Sequence, residues 1–250
     1  MNAIILSAGM GTRLLPITET IPKALIRING VSIVESQILF LRKLGIKDIY
    51  VVIGYMHEKF SFLEKEPDVK LIYNDKYSNY NNIYSLFLCR QYLKNTWILD
   101  GDVFINKRLV TKLPIQSTYF SIFKSLVEFE WILECSKDDK LKKFLTSDEV
   151  SENEVYKDGA NVISGISFWN ESATQIIKEQ LEYYFLDKIP ENISKGASLF
   201  WDQIIKDNLS LLNISVKRLK HGDCFEIDSQ VDWNHAKSCI ELDKKFKALF

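Results

Sequence analysis

The feature that most constrains the fold is an apolar run at the start of the chain that ends in a glycine-rich loop. Residues 2–7 (NAIILS) are followed directly by AGMGTR at 8–13. Strands of parallel sheets are buried on both faces, so they read as continuous apolar runs rather than alternating ones. The run therefore predicts a central parallel strand. The glycines after it let the backbone turn sharply and approach another group closely.

Short apolar runs and amphipathic segments alternate along the rest of the first half. Strands are predicted at residues 49–53, 69–73 and 96–99, and helices at 32–44 and 82–93. Ser32 and Glu35 have the spacing of a capping box, and Gly45 stands where a helix C-cap belongs. This alternation is typical of βαβ units. It predicts an α/β fold with a mixed, mainly parallel central sheet flanked by helices.

The second half is less regular. Strands are predicted at residues 119–123, 131–134, 162–168 and 214–219, and helices at 171–184, 198–208 and 232–249. The charged stretch 136–158 is predicted to be a mobile insertion. No linker divides the 250 residues, so a single domain is expected.

Composition excludes several classes of protein. The 32 basic and 33 acidic residues balance to a net charge of -1, whereas a general nucleic-acid-binding protein needs a clustered basic excess. No apolar stretch approaches the ~18 residues of a membrane span, so no membrane contact is expected. The four cysteines lie far apart and are expected to be free thiols of a cytoplasmic protein.

The glycine loop carries the most specific chemical signal. Its backbone N–H groups can turn toward an anion, and Arg13 and Lys23 add two cations suited to a polyphosphate. A dinucleotide-binding loop would need a third glycine at Leu14, and a P-loop would need Gly-Lys-Ser/Thr after the glycines. Neither pattern is present. A tight turn with incidental charges is the structural alternative.

Gly-x-Gly-x-Arg with a following Pro-Lys resembles the signature of nucleotidyltransferases, which join a nucleoside triphosphate to a phosphorylated small molecule. The chain is most similar to the bacterial choline-phosphate cytidylyltransferases. The stretches that carry the resemblance are 1–25, 73–77 with 80–82, 117–121, 130–131, 164–169, 201–202 with 206–208, and 226–229. The resemblance implies a Rossmann-like nucleotidyltransferase fold, with a nucleotide-binding half at 1–125 and an acceptor-binding half at 126–250.

The resemblance also implies roles for individual residues on the nucleotide side. Arg13 and Lys23 are the expected catalytic cations. The expected nucleotide-binding residues are Leu6, Ala8, Gly9, Gly11, Thr12, Asn81, Asn82 and Ser85. Asp102 and Asp228 match the family's Mg²⁺ ligands, and Mg²⁺ is the expected cofactor. Asp102 follows a predicted strand, at an edge where open α/β sheets bind ligands. For Asp228, a helix-capping role is the alternative.

The acceptor side is expected to hold a small cationic head group. Its expected residues are Tyr80, Glu130, Trp131, Trp169, Trp201 and Asp202. Aromatic faces attract quaternary ammonium groups, and a carboxylate adds a compensating charge. Packing in the core is an equal alternative for Trp169 and Trp201.

The expected function is transfer of CMP from CTP to a small phosphorylated amine or zwitterion such as phosphocholine. The CDP-linked product would serve cell-surface or capsular polysaccharide decoration. A phosphoglutamine acceptor remains open, since segment 182–197 is longer and more basic than a phosphocholine enzyme leads one to expect. A sugar-1-phosphate nucleotidyltransferase that uses UTP or dTTP is a further alternative, and a nucleotide-sensing module is a third. A monomer or homodimer is expected.

Overall fold

The computed structural model describes residues 1–125, 130–146, 149, 159–186 and 199–247, with side chains up to residue 241. Its strands are β1 (Asn2–Ser7), β2 (Arg27–Ile28), β3 (Val31–Ser32), β4 (Ile49–Ile53), β5 (Val69–Tyr73), β6 (Thr96–Asp100), β7 (Val103–Ile105), β8 (Thr118–Lys124), β9 (Trp131–Cys135), β10 (Leu141–Thr146), β11 (Ala160–Trp169), β12 (Ser215–Arg218) and β13 (Cys224–Glu226). Its α-helices are α1 (Ile33–Lys43), α2 (Asn82–Leu88), α3 (Glu171–Phe185), α4 (Asp202–Asp207) and α5 (Gln230–Lys247). None of these helices is long and apolar enough to span a membrane within the described residues.

The apolar run at the N-terminus forms the central strand of the main sheet. β1 lies between β4 and β6 and is parallel to both, and β5 continues the parallel part beyond β4. On the other side, β11 pairs antiparallel with β6 and connects to β8, β9 and β10. The predicted mixed sheet with a mainly parallel centre is therefore confirmed, and all six residues of β1 are buried as expected.

Helices cover both faces of this sheet. α1 contributes Val34, Ile38 and Leu41 to one core, while α2 and α3 pack against the other face. The predicted capping box at the start of α1 is present: the Ser32 hydroxyl accepts from the Glu35 N–H, and the Glu35 carboxylate accepts from the Ser32 N–H. The same amphipathic pattern that predicted α1 thus sets the face that it buries.

Several predicted elements differ from the structure. The stretch 136–158 was expected to be a mobile insertion, but its described part contains β10, because Leu141 and Phe144 are buried against the sheet. Residues 147–148 and 150–158 lie outside the described residues. α2 ends at Leu88, and the predicted helix continues only as a 3₁₀ turn at Arg90–Tyr92. The short pair β7 and β13 was not predicted, since three-residue strands carry no periodicity.

Candidate active site

A cleft opens at the carboxyl ends of β1 and β6, where ligands bind in open α/β sheets. Its volume is about 990 Å³. The predicted residues that line it are Leu6, Ala8, Gly9, Gly11, Thr12, Arg13, Tyr80, Asn81, Asn82, Ser85, Asp102, Glu130, Trp131, Asp202 and Asp228. Lys23 lines a smaller adjoining cavity, of which Gly9, Arg13 and Asp228 are also walls. Residues far apart in the sequence therefore meet around one opening.

The glycine loop forms one end of the cleft. Gly11 has a positive φ of 64°, and a Cβ there would lie 2.9 Å from the Lys23 Cβ. A larger residue would thus be strained and would push against Lys23. At Gly9, in contrast, a Cβ would meet no protein atom within 4 Å. Gly9 lines the open cleft, so a side chain there would project into the space that a ligand can use.

Two cations and two carboxylates converge beside this loop. The Lys23 Nζ lies 2.9 Å from the Asp102 Oδ2 and 2.5 Å from the Asp228 Oδ1. The Arg13 Nη2 lies 2.8 Å from the same Asp228 oxygen. Burial lowers the pKa of Lys23, but Asp102 and Asp228 raise it more, so its pKa is above the ordinary value. Lys23 is therefore a permanent cation, largely buried, whereas the Arg13 side chain is 73% exposed.

Backbone hydrogen bonds bring Asp102 and Asp228 together. The Ile227 N–H donates to the Asp102 carbonyl at 3.0 Å, and the Gly101 N–H donates to the Leu6 carbonyl at 3.0 Å. The capping contacts before α5 are made by the Asp232 carboxylate, which accepts from the Ser229 N–H at 2.7 Å. The Asp228 carboxylate faces Lys23 and Arg13 instead, so the structure does not support the capping alternative for Asp228.

Asp102 and Asp228 fit a divalent metal bound together with phosphate. Both carboxylates already meet at one cationic centre, the Lys23 ammonium. Mg²⁺ is usually held by one or two carboxylates together with water and substrate phosphates. In the described part of the chain, no group of three or more His, Cys, Asp or Glu side chains is arranged to hold a metal. The pair therefore suits an ion that arrives with a nucleotide better than a metal held by protein alone.

The other end of the cleft is aromatic and acidic. Trp131 is half-buried at the start of β9, with its ring centroid 5.1 Å from that of Phe144. The Lys206 Nζ lies 6.0 Å from the Trp131 ring. Asp202 is buried and accepts a hydrogen bond of 2.7 Å from the Tyr119 hydroxyl. Burial raises the pKa of Asp202 to about 7. An aromatic face attracts a cationic group, and a nearby carboxyl group adds Coulombic attraction in its ionised form.

Glu130 belongs to an ion-pair triad that the sequence did not reveal. The Lys124 Nζ lies 2.5 Å from the Glu130 Oε1 and 2.8 Å from the Glu226 Oε2. Burial, together with the nearby Asp102, raises the pKa of Glu226 to about 7, against the opposing effect of Lys124. The charge of Glu130 next to Trp131 thus has a partner within the protein. Lys124 fixes two cleft carboxylates at once.

Sequence reasoning missed other residues of the cleft wall. They include Asn74, Tyr77, Asp100, Ile163, Phe200 and Glu226. Asn74 and Asp100 come at the carboxyl ends of parallel strands, and that position was a usable signal. Asp100 is one of these wall residues, and burial raises the pKa of its carboxyl group well above the ordinary value.

Trp169 and Trp201 do not line the cleft. Both side chains are buried, at 0% and 2% exposure, and their ring centroids lie 5.7 Å apart. The Trp169 indole N–H donates to the Ser167 hydroxyl at 2.9 Å. The prediction that they contact the acceptor is corrected: they pack in the core, as the alternative for both residues held. The basic part of segment 182–197 falls in 187–198, outside the described residues.

Comparisons with known proteins agree with this geometry. The sequence profile of the nucleotidyl transferase family matches residues 2–111. The choline-phosphate cytidylyltransferase of Streptococcus pneumoniae is 35% identical over 241 residues, which cover 96% of this chain and 99% of that protein. The enzyme of the same name from Haemophilus influenzae is 35% identical over 245 residues, covering 98% and 100%.

A solved structure extends the similarity to the fold. The CTP:phosphocholine cytidylyltransferase of S. pneumoniae superposes with a TM-score of 0.85 at 33% identity, covering 96% of this chain and 98% of that one. The match runs through both ends of the cleft, not only through the glycine loop. The chain is a nucleotidyltransferase and belongs to the choline-phosphate cytidylyltransferase family.

Proposed function

We propose that the protein transfers CMP from CTP to phosphocholine, which gives CDP-choline and pyrophosphate. One observation carries the proposal. A single cleft joins a cluster suited to polyphosphate, at Arg13, Lys23, Asp102 and Asp228, to an aromatic and acidic end around Trp131. A substrate pair with a triphosphate on one side and a cationic phosphomonoester on the other matches both ends.

The nucleotide occupies the side formed by residues 1–125. Loop amides near Gly9 and the exposed Arg13 bind the β- and γ-phosphates, as backbone nests and arginines do elsewhere. Asn81, Asn82 and Ser85 contact the base. Two of these side chains are already fixed: Asn82 Oδ1 accepts from the Trp201 N–H at 2.9 Å, and Ser85 Oγ accepts from the Asn74 amide at 3.0 Å. Fixed polar groups favour selection of one base over another.

The reaction is a direct displacement at the α-phosphorus. A phosphate oxygen of the acceptor forms the new bond, and the bond from the α-phosphorus to the bridging oxygen of the β-phosphate breaks. The second pKa of a phosphomonoester is about 6, so the nucleophile is already ionised at neutral pH and needs no general base. Among the described residues no histidine lines the cleft, which agrees with this chemistry.

Alignment and charge neutralisation then provide the catalysis. Lys23 neutralises charge on the α-phosphate or the attacking phosphate, and Arg13 stabilises the departing pyrophosphate. A divalent metal held by Asp102 and Asp228 would supply Lewis-acid stabilisation of the same phosphate charge. No covalent intermediate forms on the protein.

The acceptor occupies the side formed by residues 126–250, with Tyr80 from the first half. Trp131 and Tyr80 give the trimethylammonium group aromatic faces, and Asp202 and Glu130 supply negative charge nearby. Lys124 already pairs with Glu130. The Glu130 carboxylate therefore has a partner before the cationic head group of the acceptor binds. We place the reaction in the cytoplasm, where both charged substrates are retained, and propose a monomer or homodimer that binds neither nucleic acid nor membrane.

The proposal is tested by measuring pyrophosphate release for each of CTP, UTP, dTTP and ATP with a panel of acceptors. The panel contains phosphocholine, phosphoethanolamine, phosphoglutamine and glucose-1-phosphate. Rapid release with CTP and phosphocholine is expected. Preferential release with UTP or dTTP and the sugar phosphate would overturn the proposal. Preference for phosphoglutamine as the acceptor would also overturn it. Binding of CTP without turnover of any acceptor would indicate a nucleotide sensor rather than an enzyme.

Trp131→Ala is expected to raise the KM for phosphocholine and leave the KM for CTP nearly unchanged. A cation over an indole face is worth about 0.5–2 kcal/mol. At about 1.4 kcal/mol per decade, this predicts a rise of a few-fold to tens-fold. The measurements are the KM for each substrate, from steady-state kinetics with that substrate varied, and the melting temperature of the variant. A lower melting temperature with both KM values raised equally would assign Trp131 to packing alone.

Gly9→Ala and Gly101→Ala form a matched pair. A Cβ at Gly101 would lie 2.4 Å from the Leu6 carbonyl oxygen, whereas at Gly9 it would meet no protein atom. Overpacking typically costs about 1–3 kcal/mol, so Gly101→Ala should lower the melting temperature by several degrees. Gly9→Ala should leave the melting temperature unchanged and raise the KM for CTP. An unchanged KM would show that no phosphate approaches Gly9.

A further inference from the structure

Gln37 is a polar side chain in the middle of the core face of α1. It is completely buried, and its amide Nε2 donates two hydrogen bonds. One goes to the Asp100 carbonyl at 2.6 Å and the other to the Val103 carbonyl at 2.9 Å. Backbone carbonyls only accept hydrogen bonds, so these two contacts require a donor with two N–H groups. A glutamine amide provides this without a charge.

The two carbonyls stand on either side of Asp102. Between them the Gly101 N–H is bonded to the Leu6 carbonyl, and the Asp102 carbonyl accepts from the Ile227 N–H. The second of these bonds ties the turn to the residue before Asp228. Gln37 therefore holds both ends of the turn that presents Asp102, and it does not itself line the cleft.

The carbonyl oxygen of the Gln37 amide indicates that apolar packing does not explain a glutamine at this position. Its Oε1 is buried and has no hydrogen-bond partner among the residues that the structure describes. Unsatisfied buried oxygens are uncommon and unfavourable. A methionine or leucine would fill a similar volume and leave no such oxygen. The feature that glutamine alone contributes here is its pair of donors to the Asp102 turn.

We infer that Gln37 is a positioning residue for metal and nucleotide binding, which acts by fixing the turn that carries Asp102. The inference rests on the proposed role of Asp102 in holding the metal with CTP. Groups hydrogen-bonded directly to metal ligands typically change metal affinity or activity by about 10–100-fold when they are removed. Gln37 acts through the backbone on either side of Asp102, so the lower end of that range is expected. Gln37 touches neither substrate nor metal and is not itself catalytic.

The test is Gln37→Met, compared with the unaltered protein over a range of Mg²⁺ concentrations. We expect the Mg²⁺ concentration for half-maximal velocity to rise about tenfold, with the KM for phosphocholine unchanged. Independently of activity, the rise in melting temperature that Mg²⁺ with CTP produces should shrink at low Mg²⁺ and return at high Mg²⁺. If Gln37→Met does not fold, Gln37→Glu is used instead. It keeps the side-chain volume, and because burial favours the protonated carboxyl group, it keeps one hydrogen-bond donor. It should change the same quantities in the same direction by a smaller factor.

Asn2→Leu is the matched control. Asn2 is also fully buried, and its amide donates to the Tyr92 carbonyl at 2.7 Å, at the start of β1 and away from the cleft. The Asn2→Leu variant should have a lower melting temperature, but the Mg²⁺ concentration for half-maximal velocity should be unchanged. Gln37 would be merely structural if its variants behaved like Asn2→Leu. If Asp102→Ala also left the Mg²⁺ dependence unchanged, the metal role in the proposed function would fail first, and the two failures are thereby distinguished.

Discussion

Asp102→Ala is expected to remove almost all turnover while leaving the fold intact. The Asp102 carboxylate is partly exposed and pairs with the Lys23 ammonium, so little packing is lost. Metal stabilisation of transition-state charge is worth several kcal/mol, and 1.36 kcal/mol is one decade in rate. The loss in kcat should therefore be about 10²-fold or more. Initial rates at saturating CTP, phosphocholine and Mg²⁺ measure it, beside the melting temperature.

Asp75→Ala is the control for this change. Asp75 is exposed and follows β5 on the same edge of the sheet, and it does not line the cleft. Its variant should keep full activity. Near-normal turnover of Asp102→Ala would contradict the metal assignment, and so would an equal loss in both variants.

Lys23→Met is expected to lower kcat by about 10²-fold, the range found for donors that act on developing charge. Its ammonium is the largely buried cation between Asp102 and Asp228. Without it, Asp102 loses its ion-pair partner and Asp228 keeps only the exposed Arg13, so the melting temperature without Mg²⁺ should also fall. Added Mg²⁺ should restore much of that stability, since a divalent ion can compensate the same two carboxylates.

Arg13→Met separates the chemical effect from the structural one. The Arg13 side chain is 73% exposed, so its loss should lower activity substantially and leave the melting temperature nearly unchanged. For both variants, a change confined to the KM for CTP would mean that the cation only binds ground-state phosphate. That outcome would contradict the assigned role in the displacement step.

The fold was predictable where local pattern and tertiary structure agree. The apolar runs at β1 and β4 are buried along their whole length in a sheet covered on both faces, and the bounds of these strands match the prediction. The glycine loop and the residues around it were predictable for a chemical reason. Close backbone approach and two cations at fixed spacing leave few alternatives to an anion site.

The acceptor end was less predictable because its residues have several possible environments. A tryptophan in a strand or helix is apolar whether it faces a cleft or a core, and only the structure separates Trp131 from Trp169 and Trp201. Lys124 and Gln37 were missed for a different reason. Each acts through contacts with residues far away in sequence, 102 positions apart for Lys124 and Glu226, and no local pattern encodes such a pair.

The most direct test of the central claim is the product balance of one reaction, followed by phosphorus NMR. The protein is incubated with CTP, phosphocholine and Mg²⁺, and CDP-choline and pyrophosphate are quantified together. The account predicts that both products appear in equal amounts, and that neither appears when phosphocholine is left out. Pyrophosphate without an equal amount of CDP-choline, or no reaction with CTP and phosphocholine at all, would contradict it.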